Sequence, residues 1–376
     1  MTAAARDREF MRRALELARR GLGRTSPNPP VGAVVVRGGK IVGEGLHRRA
    51  GGPHAEVVAL REAGSLARGA TLYCTLEPCA HHGRTPPCAP AVAAAGIARV
   101  VVGTIDPNPR VRGRGLRILR AAGVRVASGV EEDEAKELIR FFAHHRRHGR
   151  PFVRLKLAAS LDGRIATAGG ASRWITGPGA RALVHRWRDE MDAILVGIGT
   201  ALADDPSLTC RRRGGRDPLR VVLDRSLRLP PGARMLREGR SAVWLAAGAG
   251  SDRRRRLALE RAGARVFTAR SRRGRLDLGA VLDRLGREGV LSVLAEGGGE
   301  VAASLLAAGL VDEVCLFTAP TLLGGDGVPA VGPLGVESPA EAPRLQVVGR
   351  EVLGPDLLTI ARPTGRRARG SLEGSR

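Results

Sequence analysis

Lysine is nearly missing from this chain. Lys40, Lys136 and Lys156 are the three lysines in 376 residues, so almost all of the basic charge is arginine and the formal net charge reaches +25. Aromatic residues are also scarce, at 3% of the chain. Proteins that grip single-stranded nucleic acid pair a positive groove with aromatic stacking platforms. Charge without aromatics therefore argues against that class and fits phosphorylated small molecules better. The arginines are scattered, with short runs at Arg211–Arg213 and Arg253–Arg256. Cysteine is limited to five residues, an odd number that suits a reducing cytoplasm and excludes a disulfide scaffold. No apolar run approaches the roughly 20 residues that cross a bilayer. The opening MTAAARDREFMRR is too charged for a secretory signal. These absences predict a soluble cytoplasmic protein with no membrane partner. Also missing are an internal repeat and the G-x-G-x-x-G fingerprint of a Rossmann domain.

What is present is enough length for two domains with sizeable cores. The spacing predicts a helix over Phe10–Arg20, a buried strand over Val31–Val36, and a hairpin through Gly38-Gly39 into Ile41. A helix opens near His54, after Gly51-Gly52-Pro53. Strands follow at Thr71–Leu76, Arg99–Gly103 and Val124–Ala127, with helices at Cys88–Ala95, Leu116–Ala122 and Glu131–His148. Strands alternating with helices make residues 1–147 a three-layer α/β domain. The polar run His144–Pro151 is the expected boundary. A second α/β pattern fills residues 150–363. Its strands are expected at Phe152–Leu157, Ala193–Gly197, Leu219–Leu223, Ala242–Ala246, Val290–Ala295 and Glu313–Ala319, with a polar loop over Ser160–Thr176. Residues 364–376 are rich in Gly, Ser and Arg and are expected to be disordered.

The stretch that organises the first half runs from His54 to Cys88. His54-Ala55-Glu56 is followed, after a strand, by Pro78-Cys79 and then Cys88. Zinc binds imidazole and thiolate, and a catalytic site keeps one position open for water. His54, Cys79 and Cys88 supply three ligands. Glu56 lies two residues past His54 and can reach the water without being a ligand. It would take a proton from the water and pass it to a departing amine. The competing reading is a structural zinc with four protein ligands. That would require another donor, for which Cys74, His81 and His82 are the candidates. Nucleoside and tRNA deaminases resemble this pattern, but they place two residues between their cysteines. Here eight intervene, including Arg84, which could shape a pocket for a phosphorylated substrate.

Five segments together carry a closer likeness: Pro27-Asn28-Pro29, Pro53–Glu56, Thr75–Cys79, His81–Cys88 and Asp106–Pro109. They resemble the deaminase half of the bifunctional riboflavin-biosynthesis deaminase/reductases. The resemblance implies a cytidine-deaminase-like fold and hydrolysis of an amino group on a phosphoribosylaminopyrimidine. It also implies that Asn28, His47, His81, Asp106 and Asn108 line the substrate pocket. Taken alone, Asn28 and Asn108 would read as turn formers beside proline.

The likeness covers nearly all of residues 8 to 362. The second half resembles that family's reductase domain, which has a dihydrofolate-reductase-like fold and uses NADPH to reduce the ribosyl group. It implies cofactor contacts at Ala158, Trp174, Thr176, Thr200, Asp204 and the loop from Gly298 and Gly299 to Ser304. It implies substrate contacts at Ser172, Arg188, Leu208, Arg211 and Glu296, and a homo-oligomer formed through the reductase domain. From the residues alone, Glu296-Gly297-Gly298-Gly299 is either a backbone cradle for phosphate at a helix N-terminus or a tight turn. Arg188 and Arg211 suit phosphate, because guanidinium can pair with it through two hydrogen bonds. Arg225 stands where the family often has a small polar residue. It could favour the extra phosphate of NADPH or simply face solvent.

Overall fold

The computed structural model describes residues 2–364 apart from Arg84, Pro109, Arg110 and Arg273. The tail expected to be disordered therefore lies, from residue 365 onward, outside the described residues, and so does Arg84. The chain divides into two units, one through Gly149 and one from Arg150.

The first unit opens with α1 (Ala3–Arg19), whose first turn is capped by the Thr2 hydroxyl accepting from the Ala5 N–H at 3.2 Å. Strands β1 (Gly32–Arg37) and β2 (Lys40–Leu46) form the hairpin. Then come α2 (Ala55–Ala63), β3 (Thr71–Leu76), α3 (Cys88–Ala94), β4 (Arg99–Thr104), α4 (Arg114–Ala121) and β5 (Arg125–Ser128). Two short helices close the unit, α5 (Glu132–Leu138) and α6 (Arg140–His148). The sheet order is β2-β1-β3-β4-β5. The β1 pairings are antiparallel, and β3, β4 and β5 run parallel. Alternation along the strands sends successive side chains to opposite faces. Val34, Val36, Tyr73 and Val101 meet Met11, Leu15 and Ala135 on one face. Ala33, Val35, Leu72 and Val102 meet Ala55, Ala59, Val92 and Leu119 on the other. This is the three-layer arrangement that the alternating pattern predicted.

The single closing helix expected over Glu131–His148 is broken at Ile139, where φ is −97° and ψ 10°. Leu138 packs with the α1 layer, whereas Ile139 packs with the α2–α4 layer. The break lets these two neighbours join different layers.

In the second unit a nine-stranded sheet is built from β6 (Phe152–Ser160), β8 (Ala193–Gly197), β9 (Leu219–Leu223), β10 (Val243–Ala247), β11 (Ala264–Thr268), β14 (Ser292–Ala295), β15 (Glu313–Ala319), β17 (Leu345–Leu353) and β18 (Asp356–Pro363). Two-residue and three-residue strands form side pairs: β7 (Arg164–Ala166) with β16 (Val328–Pro329), and β12 (Ser271–Arg272) with β13 (Arg275–Leu276). The main order is β11-β10-β9-β8-β14-β6-β15-β18-β17. The first seven strands in that order are parallel, and the C-terminal hairpin is antiparallel. Helices α7 (Pro178–Glu190), α8 (Ile198–Asp204), α9 (Arg234–Arg237), α10 (Arg253–Arg261), α11 (Leu278–Arg287) and α12 (Gly299–Ala307) connect them. The sequence pattern ended the sheet at Ala319. It misses the hairpin β17–β18 because Leu345, Val347, Val348 and Val352 stay exposed, which leaves no clean alternation to detect. The loop expected over Ser160–Thr176 is interrupted by β7.

Candidate active sites

The first site forms where three chain segments converge. His54 is the N-cap of α2, Cys79 follows the end of β3, and Cys88 is the first residue of α3. The helix α2 can sit low enough on the sheet because β2 carries glycine where it crosses. A Cβ on Gly45 would lie 1.8 Å from the Ala55 carbonyl oxygen. The donor atoms of His54, Cys79 and Cys88 all lie within 4.8 Å of one another. His54 Nδ1 is 3.2 Å from Cys88 Sγ and 3.5 Å from Cys79 Sγ. A tetrahedron with zinc–ligand arms of 2.0–2.3 Å has edges of about 3.6 Å, so one imidazole and two thiols fit that metal. Among the described residues no fourth histidine, cysteine or carboxylate joins the group. Cys74 is buried in β3, its thiol directed 3.9 Å away to the Val101 carbonyl, and His81 and His82 are exposed.

The surroundings tune these ligands. The Thr85 hydroxyl lies 3.2 Å from His54 Nε2. If that nitrogen keeps the proton and donates it to Thr85, Nδ1 presents its lone pair to the two thiols. Cys79 Sγ accepts from the Cys88 backbone N–H at 3.2 Å. Its interaction with the Cys88 thiol, this N–H and nearby His54 outweigh burial and draw its pKa well below that of a free thiol. Glu56, in the first turn of α2, is 3% exposed. Burial pushes its carboxyl up to about 7, the range in which a general base can both accept and release a proton near neutral pH. A bound cation would be the largest charge present and would pull all of these values down.

Beside this cluster sit residues expected to hold a pyrimidine. His47 Nδ1 is 3.0 Å from the Pro53 carbonyl, so it donates there, leaving Nε2 to accept from Asn28 Nδ2 at 3.0 Å. Burial keeps this imidazole neutral by lowering its pKa. The His47 ring packs edge-on against His54, with centroids 5.2 Å apart. Asp106 and Asn108 lie in the loop after β4, where Asp106 Oδ1 accepts from the Asn108 N–H at 2.8 Å. Burial raises the Asp106 carboxyl above the usual range, while nearby Arg146 and His81 oppose the shift.

In the second unit all the expected residues line one cleft of about 1620 Å³, at the carboxyl ends of β6, β8, β9 and β14. Ala158, Ser172, Trp174, Thr176, Arg188, Thr200, Asp204, Leu208, Arg211, Arg225, Glu296, Gly298 and Gly299 are all on its wall. Such crevices are where open parallel sheets bind ligands. The volume exceeds the 300–1,000 Å³ that suits one drug-sized molecule. The glycine triplet has mixed duties. A Cβ on Gly297 would meet Val301 at 2.6 Å, and one on Gly299 would meet the Pro329 carbonyl at 2.6 Å. These two glycines serve close packing. Gly298 is the N-cap of α12, and its N–H donates to the Thr200 hydroxyl at 3.2 Å.

Arg188 is more committed than an open phosphate ligand would be. Its Nε and Nη2 donate to the two Glu296 oxygens at 2.8 and 2.9 Å, and Nη1 donates to the Thr209 carbonyl at 3.1 Å. Arg211 is exposed on the wall. Two wall residues carried no expected role. Lys156 Nζ lies 4.0 Å from Glu296 Oε2, and burial lowers its pKa. His185 Nδ1 accepts from the Arg211 N–H at 3.3 Å. Burial and the charges of Arg188 and Arg211 press its pKa down to about 4. The available sequence signal was a lysine inside the expected strand Phe152–Leu157, in a chain that otherwise avoids lysine.

These two sites define a class: a zinc-type ring deaminase joined in one chain to an α/β reductase. Residues 4–104 match the family model for the cytidine and deoxycytidylate deaminase zinc-binding region, and residues 151–359 match the RibD C-terminal domain. The riboflavin biosynthesis protein RibD of Bacillus amyloliquefaciens is 45% identical over 356 residues, covering 94% of this chain and 95% of that one. RibD of Escherichia coli K12 is 44% identical, covering 93% and 98%. Among solved structures, RibD of Acinetobacter baumannii superposes with a TM-score of 0.87 at 40% identity, covering 96% of this chain and 100% of that one. The diaminohydroxyphosphoribosylaminopyrimidine deaminase/5-amino-6-(5-phosphoribosylamino)uracil reductase of Thermotoga maritima gives 0.85 at 40% identity, with the same coverage. The chain belongs to the RibD family of riboflavin-biosynthesis deaminase/reductases. No described helix is long and apolar enough to cross a membrane.

Proposed function

We propose that residues 1–147 deaminate 2,5-diamino-6-(5-phosphoribosylamino)pyrimidin-4-one and that residues 150–363 then reduce its ribosyl side chain with NADPH, giving 5-amino-6-(5-phosphoribitylamino)uracil. The observation that carries the first step is the convergence of three ligand atoms within 4.8 Å beside a buried glutamate. Zinc held by His54, Cys79 and Cys88 would activate water at neutral pH. Glu56 takes a proton from that water and returns it to the departing amine. Asn28 and neutral His47 face one side of the ring, and Asp106, Asn108 and His81 hold the other. The raised Asp106 carboxyl suits a group that shares a proton with an amidine nitrogen.

In the second step NADPH supplies the hydride, and the cleft orients it and excludes water. Ala158, Trp174, Thr176, Thr200, Asp204, Gly298 and Gly299 form the cofactor's part of the wall. Arg225 at the rim suits the additional phosphate of NADPH. Ser172, Leu208, Arg211 and Glu296 form the substrate's part, with Arg211 as the phosphate ligand and Arg188 holding Glu296 in place. The reaction is placed in the cytoplasm. The exposed apolar edge strand β17 supports a homo-oligomer through the reductase unit, since unpaired edges invite pairing with a second copy; sedimentation velocity reads this directly. The test of function is incubation of the purified protein with the pyrimidine, with and without NADPH. Ammonia is expected in both reactions and NADPH oxidation only in the first. NADPH oxidation without ammonia release would overturn the order of steps.

A further inference from the structure

Glu77 has no part in the reaction described above, yet it is the most heavily engaged carboxylate near the deaminase site. It follows β3 directly, before Pro78-Cys79, and is 4% exposed. Its Oε2 accepts from the Asp106 N–H at 3.2 Å and the Gly113 N–H at 2.9 Å, and Oε1 accepts from the Gly115 N–H at 2.9 Å. Asp106 opens the loop between β4 and α4, whereas Gly113 and Gly115 close it. One carboxylate therefore holds both ends. Gly113 is the N-cap of α4 and has no side chain to satisfy the helix's first N–H groups, which would otherwise lack partners. Glu77 supplies the cap from another strand, and its negative charge suits the positive helix end. Close approach is built in, because a Cβ on Gly115 would lie 1.9 Å from the Pro78 carbonyl oxygen. The Glu77 N–H in turn donates to the Thr104 carbonyl at 3.0 Å.

We propose that Glu77 is a positioning residue for the deaminase, fixing the Asp106–Asn108 loop relative to the Cys79 turn so that the pyrimidine and the metal ligands keep register. This rests on the reading of Asp106 and Asn108 as substrate contacts. A glutamine at 77 keeps the shape. Its amide nitrogen, however, meets backbone N–H donors where an oxygen accepted, so at least one of the three bonds is lost.

The test is Glu77→Gln on the full-length zinc-loaded protein, with Asp106→Ala in parallel. For Glu77→Gln the KM for the pyrimidine should rise about tenfold or more, in line with the cost of misplacing a binding group by about 1 Å. The deaminase kcat should fall less than the KM rises, and zinc stoichiometry and reductase activity on the deaminated product should be retained. An unchanged KM with zinc retained would overturn the proposal. If Glu77→Gln fails to hold zinc, Glu77→Asp decides: it keeps the charge, and zinc retained with a raised KM supports positioning, whereas zinc lost again leaves Glu77 a structural residue only. If Asp106→Ala leaves KM unchanged, the substrate reading itself falls. If Asp106→Ala raises KM and Glu77→Gln does not, that reading stands and the positioning role falls.

Discussion

The two sites of this molecule are built on opposite plans. The first is a knot: three ligand atoms within 4.8 Å and one buried glutamate, all supplied by two helix N-termini and one strand end. The second is a cleft of about 1620 Å³ walled by residues from Lys156 to Ser304 and beyond. The knot depends on a few atoms meeting, so a single displaced group disables it. The cleft distributes binding over many contacts, so its critical points are the places where charge is buried. Arg188 with Glu296 is the strongest of these, a two-bond pair on the wall of the cleft.

The sharpest way to break this contrast is to remove the knot's proton carrier. Glu56→Ala is expected to lower deamination by about 10²–10⁴-fold, the scale of a lost general acid–base. Zinc content and reductase activity on the deaminated product should be unchanged, read by metal analysis and NADPH oxidation. Loss of both activities in a folded protein would show that the sites are not independent. In the cleft, Arg188→Met should leave the Glu296 carboxylate buried without its partner. Breaking a buried pair from one side costs about 3 kcal/mol or more of stability, so the second unit should unfold at lower denaturant, and reductase activity should drop as Glu296 loses its anchor. Deamination should persist. Equal stability of this variant and the parent would mean that the pair is not buried in solution.

A smaller effect tests how the knot is tuned. Thr85→Val removes the hydroxyl beside His54 Nε2 while keeping the side chain's shape. Outer-shell partners of metal ligands are worth about 10–100-fold in affinity, so zinc should be lost to a competing chelator at correspondingly lower concentration. Thr85→Ser should restore retention. A Val variant that holds zinc as tightly as the parent would show that Thr85 does not orient the ring.

The difference between the sites also explains what the sequence could disclose. His54, Glu56, Cys79 and Cys88 are legible because metal chemistry restricts both residue type and spacing, and few other reasons place those types together. The three-layer order of the first unit is legible because helical and strand periods alternate cleanly. Thr85 and Glu77 carry no such signature: a hydroxyl beside an imidazole and a carboxylate on three N–H groups depend on the path of loops between elements. Arg188 reads as a phosphate ligand in sequence, since guanidinium chemistry fits phosphate. Only its position beside Glu296 discloses that three of its N–H groups are occupied. The hairpin β17–β18 is hidden for another reason: the apolar residues of β17 face outward, so hydrophobic period does not mark a buried face there.

The smallest effect expected concerns the frame that carries the knot. Asp7 on α1 accepts from Arg99 Nη1 and Nη2 at 2.8 and 2.7 Å and from the Tyr73 hydroxyl at 2.8 Å, linking α1 to β3 and β4. The Arg99 hydrogen bonds, against the opposing cost of burial and with help from Tyr73, hold the Asp7 carboxyl below its ordinary range. A carboxyl depressed in the folded state stabilises that state above its unfolded pKa, near 3.9, and the contribution disappears as pH falls through the lower folded value. Asp7→Asn should therefore destabilise the first unit by about 1 kcal/mol at pH 7, a figure kept small because Arg99 is partly exposed. The gap between parent and variant in denaturant midpoints should hold from pH 7 to about 5 and close below about pH 4. A gap that persisted unchanged at the lowest pH would assign Asp7's contribution to packing and neutral hydrogen bonds instead. A gap in reductase unfolding would show that α1 supports more than the unit it belongs to.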